Sequence, residues 1–274
     1  MKNLKLNVLM PFIGLGLVFV SCNKDEVTEV NNPQAISPEL ISKVESLALN
    51  PEGMTMENFE RPDGTTEGAY LLEGDIAMSP EQLEAMDIFG GITSEQYRTF
   101  NLVSSPQTIS VIGYTGAGYE LGPNMRTALS WAIDNYNALN IGLNFTLSFG
   151  ASTNADIVVY RYGSGAGGSA GFPSGGAPYQ WVQIRSGMEN YNTNVVEHVM
   201  GHEIGHCLGL RHTDYFSRQS CGQNVNEGSS GVGAVHIPGT PTGFDPTSLM
   251  LSCFGSGEDG EFGPYDIVAL EYLY

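Results

Sequence analysis

The spacing of apolar and polar residues predicts alternating strands and helices in the second half of the chain. Apolar and polar residues alternate over residues 108–114, which is typical of a β-strand with one buried face. Over residues 123–139 the apolar positions recur every three or four residues, which predicts an amphipathic helix. The remaining predicted elements are strands at 143–149, 156–160 and 180–185, a glycine-rich edge strand and hairpin within 163–178, a helix at 194–210 and a short helix at 265–272. We therefore expect an α+β domain over residues 107–274.

The first part of the chain has weaker periodicity and predicts less regular structure. Residues 22–65 contain prolines and scattered acidic residues, which favours a tether with one short helix at 38–49. Residues 66–106 contain a strand-like stretch at 69–72 and a helix start at Ser79, where serine precedes proline and an acidic residue. We interpret this second part as a separate segment ahead of the main domain.

The N-terminus has the features of an export signal. A start with two lysines is followed by an apolar run at residues 6–20, shorter than the roughly 20 residues that span a bilayer. We therefore assign residues 1–21 to a signal peptide. The run ends at Val-Ser-Cys, which resembles the cleavage box of bacterial lipoproteins and implies an acylated Cys22. An ordinary signal peptide with an incidental cysteine is the alternative.

The residues after the cysteine bear on location. Asn-Lys-Asp-Glu at 23–26 resembles a signal that sends some lipoproteins to the cell surface, although a solvated linker has a similar composition. We expect a protein that is lipid-anchored to the bacterial outer membrane, and either exposed at the cell surface or released after processing.

Composition and charge limit the partners. The 274 residues are 41% hydrophobic, which is enough for one full-sized core. The formal charge is −19, or −21 once the two signal-peptide lysines are removed, and residues 107–274 contain no lysine and only five arginines. Nucleic acid and anionic membranes bind basic patches, so we expect neither as a partner, apart from a lipid anchor at Cys22. An acidic solubilising surface needs no partner, and we expect a monomer.

Three of the five histidines have a spacing that suits one metal ion. On an α-helix, His202 and His206 share a face and lie about 6 Å apart along the axis. Gly209 lets the chain leave the helix with positive φ, so that His212 can return as a third ligand. Three protein ligands and one water form a catalytic zinc site, whereas structural sites normally have four protein ligands. The alternative is a helix whose histidines are ordinary surface or core residues.

Glu203 follows the first of these histidines, where its carboxylate can hold a metal-bound water and accept its proton. The extended His-Glu-x-x-His-x-x-Gly-x-x-His pattern resembles that of the metzincin peptidases.

Metzincins have a methionine turn beneath the metal, and residues 245–252 resemble this turn, with Met250 as the floor residue. Ordinary core packing of this methionine is the alternative. Ser252 stands where astacin-like and serralysin-like members have a tyrosine ligand, so no tyrosine switch is expected.

The resemblance narrows to the dual-action HEIGH metallopeptidases of bacteria. It rests on His-Glu-Ile-Gly-His-Cys-Leu-Gly-Leu-Arg-His-Thr-Asp-Tyr at 202–215 and on residues 231–241 and 265–274, within about residues 107–274. It implies a metzincin-like α+β fold with a twisted mixed five-stranded sheet, two long helices above the cleft, and a loop-rich lower subdomain with a C-terminal helix. It also implies zinc as the cofactor and an extended peptide substrate along the edge strand, with backbone contacts at 168–173.

A second resemblance concerns latency. Leu-Glu-Gly-Asp-Ile at 72–76 is similar to the Phe-x-Gly-Asp element of astacin-like propeptides, with leucine in place of phenylalanine. The resemblance implies that residues 66–106 are propeptide-like and that Asp75 occupies the open metal position of a zymogen. An ordinary Gly-Asp turn explains these residues equally well.

The other candidate residues are assigned structural roles. An exported chain can form disulfides, and we expect one between Cys221 and Cys253 in the loop-rich part, which leaves Cys207 buried; the pairing is not fixed by the sequence. His198 and His236 are expected to be structural, and the acidic, glycine-rich stretch 255–263 lacks the spacing of an EF-hand, so no calcium site is assigned. Asp214 is either a hydrogen-bond partner of a metal ligand or a turn residue.

Together these residues predict a zinc-dependent endopeptidase that uses a metal-activated water and Glu203 as general base, with a protein or peptide as substrate. Two alternatives stay open. One is a surface-displayed binding or adhesin lipoprotein with a structural zinc, and the other is a zinc hydrolase of cell-wall amides.

Overall fold

The helices and strands lie in residues 36–86, 97–215, 217–223, 235–241 and 243–274, which are the residues that this computed structural model describes. The α-helices are α1 (Pro38–Ser46), α2 (Pro80–Ala85), α3 (Pro123–Ala138), α4 (Thr193–Leu208) and α5 (Pro264–Leu273). The strands are β1 (Thr55–Glu60), β2 (Thr66–Leu72), β3 (Ile76–Met78), β4 (Tyr97–Arg98), β5 (Gln107–Tyr114), β6 (Leu143–Gly150), β7 (Ile157–Tyr162), β8 (Gly168–Ser169), β9 (Trp181–Arg185) and β10 (Val235–His236).

A five-stranded mixed sheet organises the main domain. Its strand order is β6-β5-β7-β9-β8. The first four strands are parallel, and the short β8 runs antiparallel to β9 at one edge. Parallel neighbours need a crossover connection, which helix α3 supplies between β5 and β6. The predicted α+β class with a mixed five-stranded sheet is confirmed.

Helices α3 and α4 pack against each other and against the sheet in one apolar core. Helix α3 buries Met125, Leu129 and Ile133 on the face that the periodicity predicted. In α4 every residue from Val195 to Leu208 is buried, so this helix has no solvent face. Its polar side chains must therefore find their partners inside the protein.

Residues 36–86 form a smaller body with its own apolar cluster. Strands β1, β2 and β3 pair as an antiparallel sheet in that order. The cluster joins them to α1, α2 and the main domain; it includes Val44, Leu47, Leu72, Ile76, Leu83 and Phe172. The tether predicted over 22–65 contains the expected helix as α1, but β1 also lies there. Strand β1 was not predicted because, within that strand, only Phe59 is buried, so its residues show no alternation of apolar and polar positions.

Strand β4 ties this first part of the chain to the end of α4. It pairs with β10, and Arg98 forms an isolated bridge with Leu210. The N–H of Thr99 donates to the carbonyl of Gly209 (2.8 Å). Residues 98 and 99, which precede the main domain, are thus paired with Gly209 and Leu210 after helix α4. No helix in the described parts of the chain is both long and apolar enough to cross a membrane.

Candidate metal centre

Helix α4 and the loop after it bring three imidazoles together. His202 and His206 lie one turn apart, and Gly209 ends the helix in the left-handed region, at φ 108°. A Cβ at this glycine would lie 2.8 Å from the carbonyl oxygen of Asn101, so a side chain is excluded on two grounds. The chain then turns back and places Nε2 of His212 3.3 Å from Nε2 of His202. All three rings are buried.

Each ring is held by a hydrogen bond at its Nδ1 atom. The acceptors are the carbonyl of Leu249 for His202 (2.9 Å), the carbonyl of Leu210 for His206 (2.8 Å) and Oε2 of Glu73 for His212 (2.6 Å). Carbonyl and carboxylate oxygens only accept, so each ring carries a proton on Nδ1, which leaves Nε2 as the atom that can bind a metal. Hydrogen bonds of this kind orient metal-binding imidazoles.

Asp75 provides the fourth atom of the cluster. Its carboxylate oxygens lie 3.1 Å, 3.5 Å and 4.0 Å from Nε2 of His212, His202 and His206, respectively. Four ligands at about 2.0–2.1 Å from one tetrahedral ion would lie about 3.3 Å apart. Nε2 of His206 and Oδ1 of Asp75 are buried without hydrogen-bond partners among the described residues, and a shared ion would satisfy both atoms. These four residues therefore fit a metal ion.

The charges around the cluster favour a cation. Burial opposes protonation of His212, but Asp75 and Glu73 outweigh it and raise the pKa of this imidazole to about 10. Burial also opposes ionisation of Asp75, yet His212 and His202 hold the pKa of its carboxyl well below the usual range. Burial and the neighbouring imidazoles lower the pKa of His206, which keeps that ring neutral. A divalent ion supplies the positive charge that this arrangement attracts.

Glu203 lies beside the cluster and is buried. Its Oε2 atom has no hydrogen-bond partner among the described residues. Its carboxylate lies against Gly168 of β8, where a Cβ would be 2.6 Å from Oε1, so the edge strand approaches it only because residue 168 is glycine. Burial and then the charge of Asp75 raise the pKa of Glu203 well above the usual value. A carboxyl with these properties beside a metal site can take up and release a proton.

Residues 73–75, at the turn between β2 and β3 and called the hairpin tip below, are anchored by buried polar contacts. Glu73 is in the left-handed region at φ 55°. Its carboxylate accepts from the N–H of Asn50 (3.0 Å) as well as from His212, and it lies 3.8 Å from the guanidinium of Arg211. These contacts hold the turn that directs Asp75 at the metal cluster.

Arg211 extends this anchor to the N-terminal body. Its buried guanidinium donates to the carbonyls of Leu47 (3.0 Å) and Ala48, at the end of α1, and lies over the ring of Tyr215. One buried cation therefore joins α1, the hairpin tip and the residue that precedes His212.

The main chain after the hairpin tip lies on the edge of the large sheet. The N–H of Ala170 donates to the carbonyl of Asp75 (3.0 Å), and its carbonyl accepts from the N–H of Ala77 (2.7 Å). Ile76 pairs with Ala170 as a parallel bridge. The stretch 168–173, predicted as the peptide-binding backbone, thus binds an extended segment of this chain. A peptide that added to this edge would use the same polar groups.

Met250 lies against helix α4, next to the residues that bring the three imidazoles together. A Cβ at Gly205 would be 2.6 Å from Sδ of Met250, so this glycine makes room for the methionine below the helix. The carbonyl of Met250 accepts from the N–H of Thr213, next to the third imidazole (2.8 Å). The structure thus places the predicted floor residue between α4 and the loop that contains His212.

Asp266 of α5 fixes the turn before Met250 and was not predicted as a site residue. Its carboxylate accepts from the N–H of Leu249 (2.7 Å), the hydroxyl of Ser248 (2.8 Å) and the N–H of Gly263 (2.9 Å). Burial raises the pKa of Asp266 to about 6. Since the carbonyl of Leu249 holds His202, Asp266 orients a cluster imidazole through one intervening residue.

The remaining predicted residues are placed as follows. Cys221 and Cys253 form a disulfide and Cys207 is a buried free thiol, whereas Cys22 lies outside the described residues. Asp214 accepts from the N–H groups of Ser220 and Ser252 and is not hydrogen-bonded to a cluster imidazole.

The other two histidines lie outside the cluster. Burial and then His202 lower the pKa of His198 to about 3, so this ring is neutral. His236 lies 3.3 Å from the hydroxyl of Thr240. Glu73 and Arg211, by contrast, were not predicted; the only sequence signal for Glu73 was its place next to Gly-Asp.

Comparison with known proteins identifies a family and structures with a similar fold. The family model described as dual-action HEIGH metallo-peptidase matches residues 70–274. This match starts well before residue 107, where the sequence resemblance was placed, so it includes the hairpin tip. Two structures of myroilysin are similar at 14% identity: one covers 60% of this chain and 78% of its own (TM-score 0.38), the other 72% and 98% (TM-score 0.40). No curated protein matches the chain.

Proposed function

Because the chain belongs to the dual-action HEIGH metallopeptidase family, we propose that it is a zinc-dependent endopeptidase of the metzincin type, made as a latent precursor. One observation carries the proposal. Three imidazoles with their Nδ1 atoms occupied point their Nε2 atoms at one place, and Glu203, with an unpartnered buried oxygen, lies next to it.

His202, His206 and His212 would hold the ion, and imidazole nitrogens with one carboxylate are ligands that suit zinc. Bound zinc lowers the pKa of a water towards about 7 and polarises a scissile carbonyl. Glu203 takes the proton of the attacking water on its carboxylate and passes it to the leaving nitrogen, a role worth about 10²–10⁴ in rate. Met250 supports the floor of the site. Activity falls in acid because protonated imidazoles release metal.

Asp75 is the residue that we propose enforces latency. Its carboxylate takes the position that a catalytic zinc keeps for water. The segment after it also fills the polar groups of Ala170 on the edge strand. The precursor would thus be blocked twice, once at the metal and once along the substrate path.

We propose the same export route that the N-terminal residues predict. Residues 1–21 would be removed as a signal peptide, Cys22 would carry the lipid, and the protein would act outside the cytoplasm on a protein or peptide as a monomer.

A structural zinc site in a binding or adhesin lipoprotein is the second candidate. Four protein ligands close a site in the manner of structural zinc, and Asp75 would be the fourth ligand here. The orphan oxygen of Glu203 favours the peptidase, since a structural site has no use for an unpaired buried carboxyl. A zinc hydrolase of cell-wall amides would share the same chemistry and differ in substrate.

The test compares full-length chains, because removing residues before 100 would strip Arg211 of its partners at Leu47, Ala48 and Glu73. Zinc-loaded wild type, Asp75→Ala and the double variant Asp75→Ala/Glu203→Ala are incubated with casein. We expect a nearly silent wild type, partial cleavage by Asp75→Ala that a chelator stops, since the main chain after residue 75 still lies on the edge strand, and no cleavage by the double variant, which still binds zinc. The cobalt-substituted spectrum should change between wild type and Asp75→Ala, because one protein ligand is lost.

Matched controls lie on the surface. Asp63→Ala, in the exposed β1–β2 turn, should stay as silent as wild type. Asp75→Ala/Glu271→Ala, which truncates an exposed glutamate of α5, should cleave like Asp75→Ala. Zinc binding by Asp75→Ala without cleavage of casein or of cell-wall peptides would favour the structural-zinc candidate, and cleavage of cell-wall amides alone would favour the third.

A further inference from the structure

A cavity of about 210 Å³ opens beside the metal cluster. It lies between the edge-strand region and the residues that follow Met250, and both His202 and Glu203 face it. A substrate residue next to the bond that is cleaved would enter this cavity, since Glu203 has to reach that bond. The chemistry of the cavity walls therefore bears on the substrate.

The walls carry an unusual share of the positive charge of the domain. Residues 107–274 contain five arginines and no lysine, in a chain with a formal charge of −19. Two of the five, Arg185 and Arg218, line this one cavity together with the carboxyl groups of Glu73, Asp75 and Glu203. Glu73 and Asp75 belong to the hairpin tip, so its release would leave two guanidinium groups and the one carboxyl of Glu203 at the cavity, which favours an anionic ligand.

Arg185 is available to such a ligand. It lies at the end of β9 and lines the cavity together with Gly167 and Gly168. Arg185 makes no side-chain hydrogen bond or ion pair with any residue that the structure describes, although it is close enough to lower the pKa of Glu203 by its charge. Arg218 is different, because its guanidinium donates to the carbonyl of Glu73 (3.2 Å) in the hairpin tip.

We propose that this cavity binds a carboxylate of the substrate, namely an Asp or Glu side chain that flanks the scissile bond, and that Arg185 determines this preference. The proposal rests on the proposed peptidase function and specifies its substrate class. A guanidinium binds a carboxylate through two parallel hydrogen bonds, which a neutral amide of the same shape cannot match. Arg218 adds a second positive charge once the hairpin tip has left.

The test uses zinc-loaded full-length Asp75→Ala and peptides with amidated C-termini that differ only in having Asp, Asn or Lys at each position around the cleaved bond. We expect kcat/KM to be about tenfold or more higher for Asp than for Asn at one flanking position. Adding Arg185→Gln should remove the difference, and Arg185→Glu should turn it into a preference for Lys. Arg126→Gln, on the outer helix α3, is the matched control and should keep the preference for Asp.

A binding measurement gives a second readout. In the inactive chain Asp75→Ala/Glu203→Ala, the Asp peptide should bind more tightly than the Asn peptide by fluorescence anisotropy, and salt should reduce the difference. Equal cleavage of the Asp and Asn peptides in the Asp75→Ala chain would overturn the proposal without any change at Arg185. So would a preference that survives Arg185→Gln, or one seen only with a free C-terminal carboxylate. Failure to cleave any peptide would instead contradict the proposed function.

Discussion

Helix α4 and the hairpin tip reach the metal cluster from different parts of the chain and are stabilised differently. Helix α4 lies in the main apolar core, and the two imidazoles that it brings to the cluster lie close to Glu203 because the three residues are close in sequence. The hairpin tip is held mainly by buried polar contacts of Glu73, whose partners are 23 to 139 residues away. Apolar packing tolerates small changes, whereas a buried charge that loses its partner is costly. The helix should therefore define the site. The hairpin tip depends on a few polar contacts, so the loss of one of them should be enough to release it.

The largest expected effect is on metal affinity, and it should differ between a substitution in α4 and one in the hairpin tip. His206→Ala removes a ligand that the helix holds rigidly, and we expect it to abolish tight zinc binding and all activity. Asp75→Ala removes the fourth ligand but leaves the three imidazoles, so zinc should stay bound. Competition with a chromophoric chelator measures both. If Asp75→Ala lost zinc as completely as His206→Ala, the hairpin tip would be an integral part of the site.

The second effect concerns the stability of the hairpin tip. Glu73→Gln removes the negative charge beside Arg211 and His212 while leaving the backbone at φ 55° unchanged. Breaking a buried charge pair from one side costs about 3–5 kcal/mol, so we expect about 3 kcal/mol less free energy of unfolding in urea. Glu67→Gln, which breaks the partly exposed pair with Arg61, should cost below about 1 kcal/mol. Similar losses in the two variants would mean that the Glu73 network is not the anchor.

The sequence predicted the residues that α4 brings to the metal cluster better than those of the hairpin tip, for a physical reason. The helix expected at 194–210 is α4 at Thr193–Leu208, since apolar spacing and the terminal Gly209 are both local signals. The metal-binding spacing of its histidines is local too. Asp75 was reached only through a resemblance, and Glu73 and Arg211 were missed. Their roles depend on partners that only the folded chain brings close, as with Leu47 and Ala48, and no spacing within one element records such a contact.

A substitution at Asp266 tests whether the imidazoles of α4 also depend on distant polar contacts. Asp266→Asn keeps the shape but replaces one acceptor oxygen by an NH₂ group that faces backbone N–H donors. We expect a loss of about 2 kcal/mol, the cost of a buried unsatisfied donor. Zinc affinity should fall about 10-fold or more, because the Leu249 carbonyl that orients His202 moves. Asp134→Asn on the exposed face of α3 should change neither. Unchanged zinc affinity in Asp266→Asn would show that α4 alone orients the ring.

The smallest effect contrasts two buried glutamates, one on each side of the site. Glu73 lies beside the guanidinium of Arg211 and accepts from Nδ1 of His212, whereas Glu197 of α4 faces Glu261 and Asp259 and accepts one hydrogen bond from Asn135. Burial and then these two acidic neighbours raise the pKa of Glu197 to about 7. A carboxyl whose pKa is higher in the folded than in the unfolded chain binds its proton more tightly when folded. Its contribution to stability is therefore present below about pH 4.5 and is lost as the pH rises through 7.

Glu197→Gln replaces this carboxyl by a neutral amide that still accepts from Asn135. At pH 8 we expect the variant to be more stable than wild type by about 1 kcal/mol after allowance for solvent screening, a rise in Tm of roughly 2–4 °C. At pH 5, where the wild-type carboxyl is mostly protonated, the two melting temperatures should nearly coincide. Glu271→Gln, on the exposed side of α5, should show no such dependence. A Glu197→Gln variant that is less stable at pH 8 would mean that the ionised carboxylate has a favourable partner, and the contrast with Glu73 would then not hold.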